Sequence, residues 1–550
     1  MGAGQKKKNN NFLMQGMILA VAGIISRLIG LAYRIPVNNI LGDEGQGFYG
    51  CAFSIYNIAL LLTSYSLPLA VSKLVSARIS KKKYKDANRI FIGALIFAIV
   101  AGAFVGILIF TLADFIAGDI MKLELSVYAL RVLAPGLFIV AVMGVVRGYF
   151  QGLGTMVPTA VSQIIEQIVN AIVSIIGASY LVEMGKKVAD VQDKPSLPSA
   201  YGAAGGTLGT VTGALFGFIF LMILLKAYYP TMKKHMSKDS SKSLESYKDI
   251  YKVLLLTIAP VILSTAIYNI SETIDQGIFS NSMIAQGHTP KETAELLGMF
   301  TGKYNTLIHI PLAVANSLGA SLIPSITAAI TNGSRKEVRD KINMVIRFVM
   351  LIAIPSFVAF LILAEPILAL LYTGNIEIPA QMLRLGAVTV VFYCLSTVTN
   401  AILQGINKMS TPVKHGAISL VIHLLFVVFV LNVLKLGIFA LVAGNIVFSL
   451  SMCILNALEI KRVTGYHQEI KRTYLIPLGA SLIMGIFVVA FYYSLVLILP
   501  GKITTLLTIV IAIFVYGVAL LKLKVLSEDE ILALPKGTFI LNILKKIHLL

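Results

Sequence analysis

Long apolar runs, each about the length a bilayer crossing demands, recur from one end of this chain to the other and leave little sequence for anything else. One span takes roughly 20 apolar residues, and backbone surrounded by lipid satisfies its own polar groups only as a helix or a closed barrel. The runs fall near 12–35, 47–76, 89–112, 126–150, 157–182, 202–229, 251–281, 301–330, 344–372, 382–404, 412–434, 437–460, 474–499 and 503–524. They predict an all-α polytopic membrane protein with about 14 transmembrane helices. Composition agrees, because 57% of the 550 residues are hydrophobic and 13% are charged, whereas soluble domains carry about 25% charge.

A formal charge of +20 would suggest a nucleic-acid partner in a soluble chain. Here the cations follow the loops. With the N-terminus placed in the cytoplasm, 33 of the 46 Lys and Arg fall on the cytoplasmic side and nine outside, with Arg27, Lys73, Arg131 and Arg384 at membrane depth. That alternation predicts a multi-pass plasma-membrane (cell-membrane) protein with both termini cytoplasmic. The run Lys81-Lys82-Lys83-Tyr84-Lys85 lacks the interleaved aromatics of a nucleic-acid platform, so it reads as a topology determinant and a weak contact for anionic lipid. No small-x-small cleavage site precedes Arg27, and the run after Lys6, Lys7 and Lys8 reads as a retained first helix. Cys51, Cys394 and Cys453 sit in apolar runs without metal-ligand spacing and read as packing residues; no metal site is indicated. His309 and His423 read as core histidines. No phosphate loop is present, and no cofactor is indicated.

The two halves of the chain resemble each other. Leu130-Arg131 and Gln151-Gly152 recur 253 residues later as Leu383-Arg384 and Gln404-Gly405. Tyr56-Asn57 before Leu67-Pro68-Leu69-Ala70-Val71 is echoed by Tyr304-Asn305 before Ile310-Pro311-Leu312-Ala313-Val314. Prolines inside helices kink them, so Pro68 and Pro311 are expected to mark equivalent bends. A repeat of six spans returns the chain to the same side, which makes the halves parallel repeats with substrate expected between them. The expected divisions are an N-lobe over 1–229, a cytoplasmic linker over 230–250, a C-lobe over 251–460, two additional spans over 461–525 and a cytoplasmic tail over 526–550.

Ionisable residues at membrane depth are costly and normally face a partner or water. In the first span Gly23, Arg27, Gly30 and Arg34 follow steps of four, three and four, so two guanidiniums and two gaps share a stripe that suits an anion. Against this stands helix packing through the glycines, with the arginines turned outward. The fifth span carries Gln163, Glu166, Gln167 and Asn170, and the seventh carries Glu272 and Asp275. These carboxylates read either as counter-ions to the arginines or as a site for a coupling Na+ or H+. Lys73 and Lys303, the latter at the outer start of the eighth span, extend the candidate cationic lining for substrate; for Lys303 a solvated interface position is the simpler reading.

At Ser26-Arg27-Leu28-Ile29-Gly30, Tyr33-Arg34-Ile35-Pro36 and Leu41-Gly42-Asp43-Glu44-Gly45 the chain resembles the polysaccharide-exporter branch of the multidrug/oligosaccharidyl-lipid/polysaccharide (MOP) flippase superfamily, close to stage V sporulation protein B and the MurJ-type lipid II flippases. Gly148-Tyr149-Phe150-Gln151-Gly152 and Gln163-Ile164-Ile165-Glu166-Gln167 add to the match. The resemblance implies a MATE/MurJ-like fold, two six-helix lobes with alternating access, and two further helices lining a lipid-facing groove. It also implies a lipid-linked oligosaccharide diphosphate as substrate, its pyrophosphate met by basic residues. Arg27 matches the family's arginine after serine. The Arg-Asp usual later in that helix is Tyr33-Arg34 here, and Thr63 stands near a further family arginine. The expected function is therefore a flippase, not an enzyme, exporting a polyprenyl-pyrophosphate-linked cell-wall precursor, lipid II foremost, in peptidoglycan biosynthesis beside the cell-wall synthesis machinery. The alternatives are export of another lipid-linked polysaccharide unit and cation-coupled multidrug export. An enzyme built on Asp43 and Glu44 is disfavoured by the short external loops, since Gly42 and Gly45 make those residues part of a turn.

Overall fold

The computed structural model describes residues 3–64, 67–239, 244–331 and 334–523, and these residues contain helices and no strand. The expected tail over 526–550 lies outside them. The helices are α1 Ala3–Thr63, α2 Leu67–Ile79, α3 Tyr84–Thr111, α4 Val127–Gly152, α5 Val157–Gln192, α6 Leu197–Ser237, α7 Tyr247–Ala285, α8 Pro290–Gly298, α9 Asn305–Thr331, α10 Arg335–Leu371, α11 Glu377–Gly405, α12 Thr411–Phe429, α13 Phe439–Thr464, α14 Ile476–Val496 and α15 Gly501–Lys522. Two compact units form, residues 1–302 with α1 to α8 and residues 303–550 with α9 to α15.

Ten helices among the described residues are long and apolar enough to cross a membrane, which is fewer than the fourteen spans read from the sequence. The four expected spans outside that set, 12–35, 47–76, 251–281 and 301–330, are helical as α1, α1 with α2, α7 and α9 with the π-helical turn before it. They are also the four that carry Arg27, Arg34, Lys73, Glu272, Asp275 and Lys303.

Local chemistry explains where the helices bend and stop. The expected first external loop is instead helical almost throughout, broken only at Gly42, with φ 66° and ψ 179°. That conformation is open essentially to glycine alone. Pro68 is not a kink inside a span, as the sequence suggested; it is the second residue of α2, a place where its missing N–H costs nothing. Pro311 does lie inside α9. Thr289 and Glu292 form a reciprocal capping box at the start of α8.

In the first unit α5 and α6 pack through small residues. Gly205 meets the backbone of Gly177, Gly209 meets Ser174 and the Asn170 carbonyl, and Gly213 meets the Glu166 carbonyl. Four-residue glycine spacing lets helix backbones approach in this way. Charges tie the segment before α7 onto the α2–α3 turn. Arg78 donates from Nε and Nη2 to Glu245 Oε1 and Oε2 at 3.1 and 2.8 Å. The Glu245 N–H donates to Asp86 Oδ1 at 2.9 Å, and the Lys85 N–H donates to Asp239 Oδ2 at 2.8 Å.

The sequence repeat reappears as matched contacts within each unit. α4 ends at Gly152 and α11 at Gly405; the turns that follow hold Gly154 and Asn407 at positive φ, and Pro158 and Pro412 open the next helices. Arg131 pairs with Asp114 at 2.5 Å in the first unit, and Arg384 pairs with Glu365 at 3.4 Å in the second. Buried Tyr56 lies beside Gly136, and buried Tyr304 beside Gly386.

In the second unit Arg347 pairs with Glu469, and the Tyr466 hydroxyl donates to Asn343 Oδ1 at 2.8 Å. Asn456 joins His415, Thr399 and Asn400. His423 is buried edge-on to Phe448, as expected of a core histidine, whereas His309 is exposed. The three cysteines are free and buried.

Candidate functional site

The candidate site lies in the first unit, on α1, α5 and α7. Arg27 and Arg34 are both exposed although their helix is apolar. Seven residues at about 1.5 Å each separate them by roughly 10 Å along α1. Of the glycines between and before them, Gly30 stands 3.4 Å from Gln167 Oε1, measured from the position of an added Cβ, which is ordinary contact. A Cβ at Gly23 would meet nothing within 4 Å. Among the described residues the stripe is therefore open at Gly23, one turn before Arg27, and forms no tight helix-packing seam there.

Neighbouring polar groups hold the stripe in place. Tyr33 is buried, and its hydroxyl accepts from Asn170 Nδ2 at 3.0 Å. Asn170 Oδ1 accepts in turn from the Ser174 hydroxyl, which also reaches the Gly206 carbonyl at 2.8 Å. One polar chain thus links α1, α5 and α6. Arg34 lies within electrostatic reach of Tyr33, Tyr49 and Glu272. Glu272 is exposed and interacts with Asp275, which is buried one turn further along α7. Arg27 makes no ion pair with a described residue. Arg34, by contrast, has the Glu272 carboxylate within electrostatic reach.

The remaining sequence candidates separate from this group. Glu166 binds Arg147 Nη2 at 2.8 Å, and Arg147 Nε donates to Ser162 Oγ at 2.9 Å, so its counter-ion is not Arg27. The turn at 153–156 folds α5 back on α4 and sets 147 opposite 162 and 166; that spacing was the available signal for a pair the sequence reading missed. Gln163 Oε1 is buried without a hydrogen-bond partner among the described residues. Lys73 is exposed on α2. Lys303 is neither lining nor interface: it is 1% exposed, and its Nζ donates to the Thr373 and Asn375 carbonyls at 3.1 and 2.7 Å. An ammonium taken out of water must find such acceptors, and here it fastens the turn after α10. Asp43 and Glu44 also serve packing, Glu44 accepting from Ser199 Oγ at 2.7 Å and Asp43 lying against Gly298 of α8.

Polar residues gathered on the stripes of a few membrane helices mark a candidate binding site or pathway. The chain matches the family described as polysaccharide biosynthesis protein over residues 12–330, and MatE over 302–429. It is 30% identical over 496 residues to the lipid II flippase MurJ of Bacillus subtilis (strain 168), covering 86% of this chain and 87% of that protein. It is 23% identical over 530 residues to stage V sporulation protein B of the same organism, covering 95% and 98%. Among solved structures it resembles a lipid II flippase MurJ in an inward closed conformation, with a TM-score of 0.64 at 15% identity over 92% of this chain and 98% of that one. An inward-facing multidrug resistance MATE family transporter gives 0.63 at 18% identity, over 80% and 96%. The chain belongs to the polysaccharide biosynthesis protein family of the MOP flippase superfamily; it is a multi-pass membrane flippase and not an enzyme.

Proposed function

We propose that this protein exports a polyprenyl-pyrophosphate-linked cell-wall precursor, specifically lipid II, from the inner to the outer leaflet of the plasma membrane, with both termini cytoplasmic. The observation that carries the proposal is Arg27, an exposed guanidinium on α1 that pairs with no carboxylate among the described residues. The 30% identity to a lipid II flippase over most of both chains supports the cargo. Arg27 and Arg34 would donate paired N–H groups to the diphosphate, the geometry guanidinium suits best. Glu272 would keep Arg34 in place while the site is empty. A diphosphate of about two negative charges gains roughly 4.6 kcal/mol on moving outward across an inside-negative 100 mV. Export by alternating access then needs neither a nucleotide nor a coupling ion.

The test is to deplete the protein in its own cell and measure lipid II exposed on the outer leaflet, with an Arg27→Ala strain in parallel. A fall in exposure with accumulation inside, in both samples, supports the proposal. Unchanged exposure in a strain without another lipid II flippase overturns the cargo. The match to stage V sporulation protein B, spanning 95% of the chain, favours a second reading in that event: another lipid-linked glycan unit handled by the same cations.

A further inference from the structure

The outer face of α6 changes character along its length. Ile219, Met222, Ile223 and Leu225 line an apolar hollow of about 570 Å3 whose basic end is formed by Lys226 and Tyr229. Ile219, Ile223 and Tyr229 are 45%, 63% and 55% exposed, while Gly209, Gly213 and Gly217 on the other face are buried against α5. The hollow therefore faces away from the bundle. Lys226, Tyr229 and Lys233 continue the stripe in steps of three and four, which keeps them on one side of the helix. Both lysines are exposed, and neither makes an ion pair with a described residue.

Tyr84 stacks on His235 at 5.1 Å, and the Lys85 N–H bond to Asp239 fixes the end of α6 against the α2–α3 turn. Exposed Lys81 and Lys82 are on that turn. The nearby acids are engaged: Asp239 and Asp86 accept backbone N–H groups, and Glu245 is bound to Arg78.

We infer that this face of α6 is a binding site for an anionic phospholipid, with an acyl chain in the hollow and the phosphate held between Lys226 and Lys233. The lipid belongs to the leaflet at the basic end of α6, the cytoplasmic one under the topology proposed above. An apolar trough ending in cations separated by an aromatic ring complements a single-tailed surface contact with an anionic head. Two lysines predict a preference of roughly thirtyfold over a zwitterionic lipid.

The chain contains no tryptophan, so a Tyr229→Trp variant supplies one emitter without background. Reconstituted in phosphatidylcholine vesicles, it is to be quenched with brominated phosphatidylglycerol and, separately, with brominated phosphatidylcholine. A Leu425→Trp variant, at a 69% exposed position on α12, reports ordinary boundary lipid. The expected result is a preference of roughly thirtyfold for phosphatidylglycerol at position 229, none at position 425, and its loss when Lys226→Ala and Lys233→Ala are combined with Tyr229→Trp. Equal quenching by the two lipids, or a preference that survives loss of both lysines, overturns the site. Relief of quenching by soluble glycerol phosphate would mean a free-anion site instead and equally overturns the lipid assignment.

Discussion

Arg27 and Arg147 are both guanidiniums in apolar helices, yet among the described residues Arg147 has a carboxylate beside it and Arg27 has none. The difference assigns them opposite roles. Arg27→Ala is expected to lower transport about 10- to 150-fold, the worth of one hydrogen bond to a charged group, with thermal unfolding in detergent unchanged. Arg147→Met strands Glu166 and is expected to destabilise the fold toward the lower end of about 3–5 kcal/mol, because the pair retains 12% and 22% side-chain exposure. Removing both charges, as Arg147→Met with Glu166→Leu, is expected to restore most of that loss in the same unfolding measurement. The sequence made Arg27, Arg34, Glu166 and Glu272 visible as costly residues at membrane depth. It did not reveal their partners: the Glu166 partner lies nineteen residues back across a helix turn, and Lys303 is buried against carbonyls seventy residues on.

At the scale of elements, glycine sets the α5–α6 distance and a charged clasp fixes the segment before α7. Gly209→Leu places a side chain against Ser174 and the Asn170 carbonyl, and overpacking of that kind costs about 1–3 kcal/mol or more. A lowered melting temperature is expected, along with weaker anion binding, because Asn170 also holds Tyr33. In the clasp, the Arg78 hydrogen bonds hold the Glu245 carboxyl below its ordinary value of 4.5. A depressed folded-state value stabilises the clasp above the ordinary value and loses that contribution as pH falls through the depressed one. The amide protection of residues 244–250, taken relative to the intrinsic exchange rate at each pH, is therefore expected to be high at neutral pH and lower in acid, and Arg78→Ala is expected to lower it at neutral pH. The Gln-Gly ends of α4 and α11 were legible in the sequence because a repeated motif repeats its turn, down to positive φ at Gly154 and Asn407. Pro68 was misread because proline marks a helix start as readily as a kink.

For the molecule as a whole, under the topology proposed from the charge asymmetry between loops, the membrane potential would supply a driving force of the right sign for an anion. Dissipating the potential in vesicles is expected to slow outward movement of a lipid-linked diphosphate, with a smaller effect on a neutral analogue; equal slowing of both would argue against the charge mechanism. Apolar run length, loop charge and internal repetition are properties of the chain read in one dimension, and they determined the helical membrane class, the approximate positions of the helices and the family. Ion-pair partners, the depth of Lys303, the open stripe at Gly23 and the lipid-shaped face of α6 were decided by tertiary structure. Each depends on which helix faces are brought within a few ångströms of one another, and no spacing along a single helix carries that information.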